Sequence, residues 1–186
     1  MPSGRSLTVT VTRPAPAEPV AGECRERGWS GRDSGVETPN RQIPVILPDI
    51  NVLVYAYRRE APAHERYRSW LGGLLAGHED IALADHSLAG FVRIVTNSRI
   101  FADPSPTGLA LDFVDRLRAA PRARPVSATP ATWAKVREWA MHDRGLRGNL
   151  VPDAYLGALA VTHEAKLATA DRGFSRFPDV ELVLPV

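Results

Sequence analysis

One carboxylate set between two apolar runs, in "VILPDINVLVYAY" (45–57), constrains the fold of this chain more than any other feature. Leaving water is costly for a charge unless a cation, a hydrogen-bond donor or a helix N-terminus compensates it. The run before Asp49 has the length and composition of a short buried strand. The run after it, "INVLVYA", follows with no Gly or Pro to make a turn. The acid therefore belongs at a junction where a strand passes directly into a helix.

Beyond that junction, strand-like and helix-like segments alternate. "AHERYRSWLGGLLAG" places Tyr67, Trp70, Leu71, Leu74 and Leu75 on one helical face, and "HSLAGFVRIVTN" does the same with Leu88, Phe91, Val92 and Val95. "SPTGLALDFVDRLRAA" is helical with Pro106 near its start. "TPATWAKVREWAMHD" opens with Thr129 as an N-cap and Pro130 at the first helical position. "VPDAYLGALAVTHEA" has a similar opening, with Asn149 or Val151 leading into Pro152. "DIALA" (80–84), "RPVSA", "KLATAD" and "VELVLP" read as strands. The alternation predicts an α/β sandwich with a mostly parallel sheet.

Ligand sites in open parallel sheets gather beyond the carboxyl ends of the strands. Asp49, Asp85 and Asp171 fall at three such ends, and Asp153 falls in the first turn of a helix after the loop "RGLRGN". Singly, each has an ordinary role as a turn or helix-end residue. Together they form a set of mutually repelling acids that a divalent cation would neutralise. Oxygen donors without clustered Cys or His point to Mg2+ or Mn2+ rather than zinc. Such a site suits phosphodiester hydrolysis. A phosphotransferase with a nucleophilic aspartate would want a second acid two residues after the first, and position 51 is Asn.

Three blocks, "PDINVLVYA" (48–56), "GNLVPDAYLGALAV" (148–161) and "LATADRGFSRFP" (167–178), closely resemble those of PIN-domain ribonucleases, more narrowly the VapC toxins of bacterial toxin–antitoxin pairs. "GFVRIVTNSRIF" (90–101) and "RYRSWL" match the mycobacterial and actinobacterial branch. The resemblance spans residues 45–186 and implies a three-layer α/β/α PIN-like sandwich. It also implies a Mg2+- or Mn2+-dependent endoribonuclease cutting tRNA or ribosomal RNA, usually dimeric and silenced by a VapB-type antitoxin. By position, Asp49, Asp153 and Asp171 become the catalytic and metal-binding acids. Thr169 and Asn149 match supporting polar residues. The glutamate that many relatives carry after the second strand is here Gly90, with Asp85 a candidate replacement. An incomplete acid set leaves open a second reading, a PIN-fold module that binds RNA or antitoxin and cuts weakly or not at all.

His86, Gly90, Arg93 and Asn97 form a polar stripe at helical spacing. With Gly90 leaving space, Arg93 is positioned either to reach a phosphate or to pair with an acid. Arg58, Arg59, Arg144 and Arg147 are candidates for RNA-backbone contacts, with plain surface charge as the competing role. The aromatic residues Trp133, Trp139, Tyr67 and Trp70 read as packing or dimer surface rather than base-stacking platforms.

Composition closes off several classes. A net charge of +2 is too small to mark a nucleic-acid binder by itself, although nearly all the positive charge is arginine, which suits bidentate phosphate contacts. The single cysteine, Cys24, excludes a disulfide framework. No apolar run approaches the roughly 20 residues of a membrane span, and no signal pattern opens the chain, so a cytoplasmic protein is expected. Residues 1–44, rich in Pro, Gly, Arg and Glu, read as a disordered extension or an over-long start, despite the strand-like "LTVTVT" (7–12).

Overall fold

The alternating pattern resolves, in a computed structural model that describes residues 44–185, into a five-stranded sheet between two layers of helices. The expectations for residues 1–43, including "LTVTVT" and Cys24, lie outside the described residues. In chain order the elements are β1 (Val45–Pro48), α1 (Ile50–Tyr57), α2 (His64–Ala76), β2 (Asp80–Ala84), α3 (Asp85–Val95) and α4 (Thr107–Arg118). There follow β3 (Ala123–Val126), α5 (Pro130–His142), α6 (Leu150–Thr162), β4 (Ala165–Ala168), a 3-10 turn (Arg172–Arg176) and β5 (Leu182–Val183).

The strand order is β3-β2-β1-β4-β5, and every pairing is parallel. Side chains alternate across a strand, so each short apolar run divides between two cores. Ile46, Ile81 and Leu83 face a layer built from α1 to α4, where Val52, Leu71, Phe91 and Leu117 are buried. Leu47, Ala82 and Leu167 face the opposite layer of α5 and α6, with Trp139, Leu156 and Leu159. This is the expected three-layer sandwich. Close packing of α6 depends on its small residues: a Cβ at Gly157 would lie 3.1 Å from Val180 Cγ2 and 3.5 Å from the Trp139 ring.

Thr129 caps α5 as expected, its hydroxyl accepting from the Thr132 N–H while Thr132 Oγ1 accepts from the Thr129 N–H. The sequence pattern carries three strands too far: β3 stops at Val126, two residues short of the end of "RPVSA". β4 stops at Ala168 instead of running through "KLATAD", and β5 holds only two residues of "VELVLP". At β4 the reason is local: past Thr169 the Ala170 and Asp171 N–H groups donate to side chains, Asn51 Oδ1 and Thr169 Oγ1, rather than to a neighbouring strand. Likewise Asp85 does not prolong β2. It is the first residue of α3, which follows the strand without a loop.

Around Phe91 the first core is aromatic, with Tyr57 and Phe113 ring centroids 5.2 and 5.0 Å away. Phe91 is fully buried on α3, the helix that also carries His86 and Arg93. Phe91→Ala should lower the unfolding free energy by about 3–5 kcal/mol, read from the urea midpoint; a loss under about 1 kcal/mol would contradict this packing.

Candidate active site

β1 is the central strand, and Asp49 is the next residue beyond its end, so the acid stands at the middle of the sheet's carboxyl edge. Its N–H donates to the Ala168 carbonyl at 2.9 Å, continuing the β1–β4 ladder by one step. The register pairs Pro48 with Ala168, so the next pair is Asp49 with Thr169. Thr169 Oγ1 accordingly donates to Asp49 Oδ2 at 2.8 Å. Asp49 is also the N-cap of α1, its Oδ1 accepting from the Ile50 N–H at 2.6 Å.

Asn51 completes the arrangement, although from sequence it serves only to exclude a rival chemistry. Its Nδ2 donates to Asp49 Oδ2 and, at 3.1 Å, to Thr169 Oγ1. Its Oδ1 accepts from the Ala170 N–H at 3.1 Å. Thr169 also accepts from the Asp171 N–H at 3.0 Å, so its hydroxyl uses one donor and two acceptor positions. Asp171 Oδ1 accepts from the Gly173 N–H at 2.7 Å and starts the 3-10 turn. One hydroxyl and one amide thus tie together the first turn of α1, the end of β4 and the Asp171 loop. The sequence signal for Asn51 is its place two residues after the acid, on the first turn of the same helix.

Asp49 is only 7% exposed. Burial pushes its carboxyl up to about 6 from an ordinary 3.8, with Asp153 and Asp171 adding repulsion; the Thr169 hydroxyl and Ile50 N–H oppose the rise. The half-buried Asp153 is also raised, by burial first and then by Asp171, while His86 and Arg176 lower it. The three acids singled out by their sequence positions therefore act on one another electrostatically. Among the described residues no three His, Cys, Asp or Glu side chains make a preformed metal cage. The fit to a hard divalent cation rests instead on an all-oxygen donor set whose members repel each other.

A cleft of about 470 Å³ runs beside Asp153, lined by Ile50, His86, Gly90, Arg93, Asn149 and Pro152. Three members of the expected polar stripe thus form one wall. Gly90, however, does not leave open space: a Cβ there would fall 2.4 Å from Ile50 Cδ1, so an acid at this position would need the end of the Ile50 side chain to move aside. Arg93 is exposed and makes no ion pair with any described residue. Asn149 lines the cleft and precedes α6 without a side-chain capping bond. Asp85 opens elsewhere, onto a second cleft with Asp115 and Arg118.

Arg58 also departs from its expected role. It is 8% exposed and donates to Glu60, to Ser105 Oγ at 2.6 Å and to the Asp103 carbonyl at 2.7 Å, with its guanidinium 4.2 Å from the Phe101 ring centroid. It locks the end of α1 to the loop after α3. Arg59, Arg144 and Arg147 are exposed, the last two on the loop leading into α6.

A carboxyl raised by burial favours the protonated fold. The stabilisation is complete below pH 3.8 and disappears as pH rises through about 6. In EDTA, Asp49→Asn should therefore gain stability relative to the parent between about pH 4 and about pH 7.5, measured by urea unfolding. A pH-independent difference would contradict the buried charge.

A family model described as "PIN domain" matches residues 46–180. Ribonuclease VapC25 of Mycobacterium tuberculosis is 37% identical over 141 residues, covering 76% of this chain and 99% of that protein. VapC ribonuclease Mb2897 of Mycobacterium bovis is 42% identical over 133 residues, covering 72% and 90%. In fold, the chain is similar to VapBC2 from Rickettsia felis bound to a DNA fragment from their promoter (TM-score 0.56, 20% identity, 75% and 97% covered). It is also similar to FitAcB from Neisseria gonorrhoeae (TM-score 0.50, 26% identity, 75% and 97% covered). A junction acid held by the hydroxyl of a neighbouring strand, two further acids that act on it, and relatives matched over nearly their whole length converge: the chain belongs to the PIN-domain family and, within it, to the VapC ribonucleases.

Proposed function

We propose that the protein is a Mg2+- or Mn2+-dependent endoribonuclease, the toxic half of a toxin–antitoxin pair, hydrolysing RNA to 5′-phosphate and 3′-hydroxyl ends. The observation that carries this reading is the buried Asp49 carboxyl, built into the sheet edge against two repelling acids. A fold rarely retains so unfavourable a cluster without a cationic or catalytic use for it.

Asp49, Asp153 and Asp171 would hold the metal. When bound, the ion supplies an acidified water and charge neutralisation at the scissile phosphate. Thr169 and Asn51 fix the Asp49 oxygens so that little reorganisation accompanies binding. Arg93, unpaired among the described residues and on the cleft wall, neutralises a phosphate oxygen of the strand lying there. Asn149 donates to the same backbone. Arg59, Arg144 and Arg147 draw in the flanking phosphates. The relatives named as VapC ribonucleases support the chemistry, and tRNA and ribosomal RNA are the first substrates to assay. An antitoxin partner and a homodimeric state are proposed with it, the former on the likeness to structures of VapBC and FitAB pairs.

One feature favours a second reading, a module that binds RNA or antitoxin without cutting: Ile50 fills the space beside Gly90, leaving no acid on that wall. The two separate in one experiment. With Mn2+ or Mg2+ the full chain should cleave RNA, EDTA should abolish cleavage, and Asp49→Asn should reduce it by at least about 100-fold. In the absence of RNA the same ions should raise the melting temperature of the parent and not of Asp49→Asn. RNA loss that ignores both EDTA and the mutation would overturn the enzyme reading.

A further inference from the structure

Next to the acids, three rings stand in a row that the proposed hydrolysis leaves unused. The Trp133 and Tyr155 ring centroids are 5.3 Å apart, with the planes at 41°, and His86 follows 5.5 Å from Tyr155 at 68°. His86 lines the cleft that also holds Arg93 and Asp153, so the row's inner end is part of the cleft wall. Its outer end is open: Trp133 is 55% exposed, whereas Trp139, on the same helix, is 6% exposed and packs on Phe177. The core side of α5 is made by Thr132, Val136 and Trp139, which leaves Trp133 unneeded for packing. One turn on, Arg137 shares its face of the helix, is exposed and makes no ion pair with any described residue.

We propose that Trp133, backed by Tyr155, is a stacking platform for one unpaired base of the RNA strand as it leaves the cleft, with Arg137 meeting the adjoining phosphate. The occupant follows from the chemistry. A lone exposed indole flanked by a free guanidinium offers a π-face and a phosphate contact side by side, the combination that single-stranded nucleic acid uses. The row is continuous with the wall that holds Arg93, so a strand in the cleft reaches it without leaving the surface. On sequence alone Trp133 reads as packing or dimer surface. What changes its role is the exposed ring joined through Tyr155 and His86 to the cleft.

This proposal rests on the nuclease reading for where the strand runs, and its test is a binding measurement that needs no cleavage. The probes are a fluorescein-labelled single-stranded oligouridylate of about 12 nucleotides and an abasic ribose-phosphate strand of the same length. They are titrated by anisotropy into the full chain carrying Asp49→Asn. Adding Trp133→Ala should weaken oligouridylate binding about 10-fold and leave abasic-strand binding within about 2-fold; Trp133→Phe should retain most of the affinity. An unchanged abasic affinity also reports that the variant is folded. Equal weakening of both probes, or of neither, would overturn the platform. So would a Trp133→Ala chain that binds both probes normally but changes its sedimentation coefficient, because the ring would then belong to a protein interface. If the parent chain cleaves no RNA with Mn2+ while the base-dependent difference persists, the platform stands and only the nuclease reading falls.

Discussion

The hydrogen bond from Thr169 to Asp49 is the interaction on which the rest of the site depends. It joins the ends of two adjacent parallel strands, and it exists because the β1–β4 register sets these residues side by side one step past the last strand pair. A carboxylate in that position loses water on most sides, and neither the hydroxyl nor the first turn of α1 fully offsets the loss. The remaining cost is what the proposed cation would offset. Asn51 extends the same bond into the Asp171 loop, so a displacement of any one of these side chains moves the surroundings of Asp171 as well.

The two helical layers make this placement rigid in different ways. On one face, long side chains of α1 to α4 interlock around Phe91 and hold the helix that carries His86 and Arg93. On the other, the small residues of α6 let it pack closely against Trp139 and Val180, and Asp153 stands in the first turn of that helix. Ile50 couples the layers to the cleft. As the first residue of α1 it donates its N–H to Asp49, and with its side chain it fills the space at Gly90. Introducing an acid at position 90 would thus require the Ile50 side chain to turn aside.

Much of this is legible in the sequence, because the signals are short-range. Apolar runs, the Thr129–Pro130 helix start and acids at strand ends depend on neighbours in the chain. The Asp49–Ile50 junction, with no turn residue, is enough to place the site at a strand end. What escapes is three-dimensional. Periodicity cannot say that Arg58, next to Arg59, turns inward to Ser105 and Asp103, or that the space beside Gly90 belongs to Ile50. It does set Trp139 on the i, i+4, i+7 face of Thr132 and Val136 and Trp133 off it, but does not show that the exposed Trp133 ring meets Tyr155. Asp85 is expected near the acids because it follows a strand, yet the first turn of α3 carries it toward Asp115 and Arg118.

The central claim is that Asp49 is a buried acid whose charge is completed by a divalent cation, and a carbon-detected NMR titration of its carboxyl tests that most directly. Without metal the midpoint should lie at about 6, and saturating Mg2+ should move it down by at least about one pH unit. A midpoint at the ordinary 3.8, unchanged by Mg2+, would contradict it.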